Sequence, residues 1–149
     1  MFKSYRWQEQ QYSIITDPQK MDIDAIHSYL TRSSWAAGID RETVHIAVNN
    51  SLSFGLFAEK KQIGFARVIT DGATFGYLCD VYILEEWQRQ KLSRLLMACV
   101  LEHPGLQRLR RIMLVTSTAP WLYEKMGFSP VNNENFVWQI VRPDVYQKP

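Results

Sequence analysis

Cysteine is scarce in this chain. Only Cys79 and Cys99 occur, both inside apolar segments, and neither has a CxxC partner or a histidine at a metal-ligand spacing. That pattern gives no zinc ribbon, no dithiol redox motif and no disulfide scaffold, so a metal site is not expected. The two thiols read as reduced core residues of a cytoplasmic protein. Long hydrophobic runs are also missing. No stretch reaches the roughly 18 apolar residues of a membrane helix. No apolar run follows a basic start, so no signal peptide is expected. Charge of one sign is lacking as well: 17 Lys and Arg stand against 15 Asp and Glu, for a formal net charge of +2. The densest basic stretch, Arg108, Arg110 and Arg111, is short, and a nucleic-acid footprint is not indicated. There is no internal repeat and no low-complexity tract.

What is present suits a globular domain. Hydrophobic residues make up 46% of 149 residues, enough for one core, and residues 1–149 read as a single domain. Five Trp and seven Tyr exceed what a core needs. Some of them are expected to line a cleft, where ring faces give apolar contact and polar tips give orientation.

Periodicity orders the elements. Tyr12 to Thr16 is a short β-type run closed by Asp17-Pro18. Ile23, Ile26, His27 and Leu30 recur at helical spacing behind Asp22 as N-cap. Ser33, Ser34 and Gly38 break this helix, and Asp40 opens a second one with Val44, Ala47 and Val48 on a stripe. Ser53 to Ala58 and Ile63 to Ile69 read as a hairpin about the polar turn Glu59 to Gln62. Tyr77 to Leu84 is an almost continuous apolar strand, interrupted by Asp80. The chain turns helical from Glu85, with Leu92, Leu95, Leu96, Cys99 and Val100 as the apolar face. Arg111 to Thr116 is a strand. Ala119 to Met126 is a short helix ended by Gly127. Phe128 and Phe136 to Val141 are expected to close the sheet. The order predicts a mixed α/β fold with helices on both faces of the sheet.

Three pieces in this order resemble the GNAT N-acetyltransferase family. They are the strand Tyr77 to Ile83 with Leu84-Glu85-Glu86-Trp87, the loop and helix Gln88 to Leu101, and LYEKMGF from Leu122 to Phe128. Ser34 to Thr43 (SWAAGIDRET) is similar to a stretch found in a bacterial branch of the family. The resemblance implies the GNAT fold, a mostly antiparallel sheet with one splayed parallel strand pair. It also implies acetyl-CoA as co-substrate, entering where the strands Tyr77 to Leu84 and Arg111 to Ser117 part. Val81, Tyr82 and Ile83 match the strand positions that meet the pantetheine arm, and a backbone N–H near Tyr82 or Ile83 would polarise the thioester carbonyl.

The pyrophosphate loop departs from the family pattern. That pattern is Arg or Gln, two variable residues, Gly, one variable residue, then Gly or Ala. Here it reads Gln88-Arg89-Gln90-Lys91-Leu92-Ser93. Lys91 stands where glycine lets phosphate oxygens approach the backbone. Its side chain either obstructs that approach or holds the phosphate as a point charge. Ser93 is small and can donate through its hydroxyl.

Acetyl transfer to an amine needs a neutral amine, a polarised carbonyl and a proton for the leaving thiolate. Tyr123 matches the family's tyrosine and suits the acid role; the alternative is a packing role for its short helix. Asp80 is a carboxylate in an apolar strand. Either desolvation tunes it as a general base, or it caps a backbone group or faces substrate without moving protons. Glu85 and Glu86 read as solvated surface groups, His27 as a core-edge histidine, and His45 and His103 as exposed. Tyr29, Trp35 and Ile39 are candidate acceptor-side groups beside Asp80, or equally core and rim residues. The expected acceptor is a small-molecule primary amine; a non-catalytic binding module and acylation of a macromolecular amine are the alternatives. No nucleic acid or membrane partner is expected. The chain reads as a monomer or a homodimer, with Phe136, Trp138 and Ile140 on one face of the last strand available for a dimer contact.

Overall fold

Six strands lie side by side in chain order in the computed structural model, which describes residues 2–147. They are β1 (Arg6–Glu9), β2 (Tyr12–Ile15), β3 (Leu52–Ala58), β4 (Lys61–Thr70), β5 (Phe75–Ile83) and β6 (Arg111–Met113). Every neighbouring pair is antiparallel except β5 and β6, which run parallel. The α-helices among the described residues are α1 (Ile23–Leu30), α2 (Arg41–Asn49), α3 (Leu92–Glu102) and α4 (Pro120–Lys125).

The helix starts follow from their caps. Asp22 accepts from the Ala25 N–H at 3.0 Å and Asp40 from the Thr43 N–H at 3.1 Å. Each bond satisfies an amide that the first helical turn leaves unpaired. At the end of α4, Gly127 takes a positive φ of 96°. The Gly127 N–H then reaches the Glu124 carbonyl and the Phe128 N–H reaches that of Tyr123. This paired closure needs a left-handed residue, which glycine supplies without a Cβ penalty.

The sheet is covered on both faces, because strand side chains alternate. Phe65 packs with Tyr82 against Ile26 and Leu30 of α1 and Val44 and Val48 of α2. Its neighbour Ala66 joins the opposite core with Phe54, Ile63, Val68, and Leu96, Met97 and Val100 of α3. Each large apolar side chain so buried contributes about 1.5–3 kcal/mol. Both cysteines are free thiols. Burial pushes the pKa of each up to about 11, so both stay protonated.

Several expectations are corrected. The strand β1, Arg-Trp-Gln-Glu, has no apolar alternation to reveal it. It forms because Gln10 turns at φ 54° and sets Arg6–Glu9 in register with β2. The strand expected over Arg111 to Thr116 ends at Met113, after pairing only with Phe75 to Tyr77. Phe128 is part of the α4 closure and its ring meets Tyr123 edge-on at 5.9 Å. Phe136 to Val141 forms no strand: Phe136, Trp138 and Ile140 are exposed, and so are Val137 and Val141. Neither face of that segment is buried and no ladder receives it, so its β propensity has nothing to act on. His103, expected at the surface, is 1% exposed and ringed by Phe2, Tyr5, Trp7 and Phe54.

Candidate active site

The parallel pair β5–β6 is in register only at Phe75–Arg111, Gly76–Ile112 and Tyr77–Met113. Beyond Tyr77 the strands separate, and that side of β5 has no ladder partner. A β-bulge lies just past this point. Phe65 pairs with Tyr82 and Arg67 with Cys79, so Asp80 and Val81 together face Ala66. Asp80 sits at φ 54°, a conformation that Asp tolerates better than most non-glycine residues. The bulge turns the end of β5 toward a cavity of about 570 Å³.

One side of this cavity is the end of β5, with Val81, Tyr82 and Ile83. The loop after it contributes Gln88, Arg89 and Lys91, and the first turn of α3 contributes Leu92, Ser93 and Arg94. Trp121, Leu122 and Tyr123 of α4 also line it, as do Tyr29 and Trp35. Thus the splayed strand, the loop, the tyrosine and the aromatic acceptor-side groups meet in one place. Three predicted residues do not line it. Ile39 is buried in the core beneath α1 and α2. The Gln90 side chain instead accepts from the Tyr12 hydroxyl at 3.2 Å, and Asp80 lies behind Trp35.

The loop keeps a glycine-like backbone without glycine. Arg89 and Lys91 take φ of 67° and 63°, where an L-residue costs roughly 1–2 kcal/mol. Lys91 is the N-cap of α3 and gives it no side-chain cap. Leu92, Ser93 and Arg94 form the first turn of α3, whose N–H groups have no preceding helical turn to accept them and no side-chain cap at Lys91. Free amides at the start of a helix, next to left-handed residues, form an anion cradle. Arg89, Lys91 and Arg94 add positive charge to it. Gln88 instead acts as a tether. Its Nε2 donates to the Ile83 carbonyl at 2.8 Å and fastens the loop to β5.

Tyr123 is partly buried between α4 and the cavity. Burial raises its pKa, with no charged neighbour contributing, so the phenol stays protonated across the neutral range. The part of the cavity carrying Tyr29 and Trp35 is held by a polar network. Asp80 accepts from the Trp35 indole N–H at 2.9 Å and from Arg67 Nε at 2.9 Å. Arg67 also donates to the Ser51 hydroxyl. Both ends of the Arg67–Asp80 pair are mostly buried, at 15% and 10% exposed. Tyr29 stacks on Tyr82 with centroids 3.9 Å apart and planes 6° apart. Burial raises the pKa of both phenols.

The other candidates are engaged elsewhere. Glu85 pairs with Arg32 at 2.7 Å and Glu86 with Lys61 at 3.7 Å. His27 Nε2 meets the Ile39 carbonyl at 3.0 Å, and Ile39 is buried in the α1–α2 core. Sequence reasoning passed over Arg94, Trp87 and Trp121. Arg94 is three residues past Lys91 on a helix start, a spacing that puts both on one face. Trp121 adjoins the LYEKMGF segment. Trp87 carries no such signal.

No group of three or more His, Cys, Asp or Glu able to hold a metal occurs among the described residues, and no helix among them is long and apolar enough to cross a membrane. The family model for an acetyltransferase (GNAT) domain matches residues 40–130. A curated relative from Gibberella zeae, a candidate acetyltransferase, is 33% identical over 144 residues, covering 83% of this chain and 81% of the relative. A crystal structure of a candidate acetyltransferase of the GNAT family from Xanthomonas campestris pv. campestris superimposes with a TM-score of 0.89 at 39% identity, covering 95% of this chain and all (100%) of that one. A candidate acetyltransferase from Clostridium acetobutylicum, crystallised with acetyl-CoA, has the same fold, with a TM-score of 0.63 at 16% identity over 88% of this chain and 94% of that one.

Proposed function

This chain belongs to the GNAT acetyltransferase family, and from that premise we propose that it uses acetyl-CoA to acetylate the primary amine of a small molecule. The observation that carries this reading is the cradle at the start of α3. Its first-turn amides and three cations fit a pyrophosphate, although both family glycine positions are filled by other residues. Left-handed backbone at Lys91 preserves what the missing glycine would have allowed. It also leaves the Lys91 ammonium as a charge for the phosphates.

Acetyl-CoA supplies the activated acyl group. The residues of this chain supply position and protons. The unladdered side of β5 at Val81 to Ile83 offers backbone groups to the pantetheine arm and an N–H to the thioester carbonyl. Tyr123, held protonated by burial, donates to the departing thiolate. Asp80 has both oxygens engaged by Trp35 and Arg67; its part is to fix the Trp35 ring. With both oxygens occupied it has no open position for the amine, which loses its proton to water.

Calorimetric titration with acetyl-CoA tests the reading. Binding in the micromolar range, with thiol release on adding an amine, is expected. No binding at millimolar acetyl-CoA would overturn it in favour of a non-catalytic module.

A further inference from the structure

The two ends of the cavity have opposite chemistry, and the acceptor end is the more restrictive. No carboxylate is among the described residues that line the cavity. Of the nearby acids, Asp80 is tied to the buried Arg67, while Glu85 and Glu86 pair with Arg32 and Lys61 at the surface. A polycationic acceptor would find no carboxylate in the described lining to meet its second charge. What it would meet is aromatic. Trp35 and Trp121 both line the cavity, yet they stay 53% and 55% exposed. The large apolar side chains of the sheet core, by contrast, are almost fully buried.

The Trp35 ring is not free to collapse. Asp80 holds its indole N–H at 2.9 Å. Its face tilts at 45° against Tyr29, 6.3 Å away. Tyr29 in turn is stacked on Tyr82, and the Arg32 guanidinium lies 4.6 Å from its ring centre. An aromatic wall braced in this way is preorganised, so a ligand ring stacking on it avoids much of the usual ordering cost.

From this geometry we infer that the acceptor is a primary amine carried on a planar aromatic frame, seated against Trp35 and Trp121. The inference rests on the acetyltransferase reading and names its substrate class. In the transfer, the amine nitrogen forms a bond to the acetyl carbonyl carbon and the carbon–sulfur bond breaks. The surplus amine proton leaves to water, and the sulfur takes the Tyr123 proton, which water replaces.

The test has two arms on the full chain. Acetyl-CoA is titrated first, and absence of binding overturns the acetyltransferase reading and this inference together. On protein saturated with CoA, 2-phenylethylamine and spermidine are then titrated separately. Phenylethylamine is expected to bind at least about 10-fold tighter, a difference of about 1.4 kcal/mol. Trp35→Ala is expected to remove most of that preference and leave acetyl-CoA affinity unchanged. Should Trp35→Ala not fold, Trp121→Ala on the exposed side of α4 carries the same expectation. Spermidine binding equal to or tighter than phenylethylamine, no measurable phenylethylamine binding, or a preference that survives both substitutions overturns the inference and leaves the acetyltransferase reading standing.

Discussion

The proposed phosphate end and the proposed acceptor end of the cavity are built from different parts. At the proposed phosphate end the groups on offer are main-chain amides at the start of α3, and side chains only add charge. At the acceptor end Trp35, Tyr29 and Tyr82 present their rings, braced by the Asp80–Arg67 pair. A site made of backbone survives replacement of its residues as long as the φ angles are kept. A site made of side chains does not. The loop can therefore lose its glycines at Lys91 and Ser93 and still present amides, whereas one change at Asp80 should disturb the acceptor end.

The largest expected effect lies there. Asp80→Ala leaves the Arg67 charge buried without a partner, at a cost of about 3–5 kcal/mol in stability, readable by urea denaturation. Where folded, the variant should raise the acceptor KM and leave acetyl-CoA affinity unchanged. Asp80→Asn keeps an acceptor for the indole and tolerates the positive φ, so it should cost clearly less. Equal losses in both variants would break the contrast between the two ends.

Tyr123→Phe comes next. It is expected to lower kcat by about 100-fold or more, the usual range for a lost general acid, with acetyl-CoA affinity unchanged by calorimetry. An unaltered kcat would return Tyr123 to a packing role.

Lys91 sharpens the comparison within the phosphate end. Lys91→Ala should weaken acetyl-CoA binding by about 10-fold or more, since a hydrogen bond to a charged group is worth roughly 1.5–3 kcal/mol net. Lys91→Gly should weaken binding to a similar degree while raising stability by about 1 kcal/mol, because glycine accepts the left-handed backbone. Tighter binding by the glycine variant would show that the lysine obstructs the cradle.

The smallest effect concerns a group far from both ends. His103 is buried among aromatic rings, and desolvation lowers its pKa below the ordinary 6.5. Its Nδ1 accepts from the Gly105 N–H at 2.9 Å, so the ring is held neutral. The unfolded chain then binds the proton more readily than the folded one. Stability should fall as pH drops below about 6.5 toward the lowered folded value, and be fully present above that window. A melting temperature that changes no more between pH 7 and pH 5 in the native chain than in His103→Gln would contradict this.

Much of this was legible in the chain. Asp22 and Asp40 announced the starts of α1 and α2 because capping is a local interaction between neighbours. Gly127 announced the end of α4 for the same reason. The apolar stripe of α3 and the apolar run of β5 placed the two faces of the sheet. The strand pattern of Phe136 to Val141 misled, since alternation states only what a strand would look like if a ladder received it. His103 misled in the other direction: it read as exposed, but Phe2, Tyr5 and Trp7 from the start of the sequence pack over it.

By itself the sequence determined the elements whose causes are local: caps, helix stripes, turn glycines, and the order in which strands and helices follow one another. Only the tertiary structure decided that Lys91 would stand in the left-handed conformation of a glycine. It alone decided that Asp80 would be tied to Arg67 and Trp35, and that two tryptophans from distant segments would border one cavity. Those outcomes depend on pairs remote in the chain. Arg67 reaches Asp80 only because a bulge in β5 breaks the register with β4 at that point, and no local pattern encodes where a ladder slips.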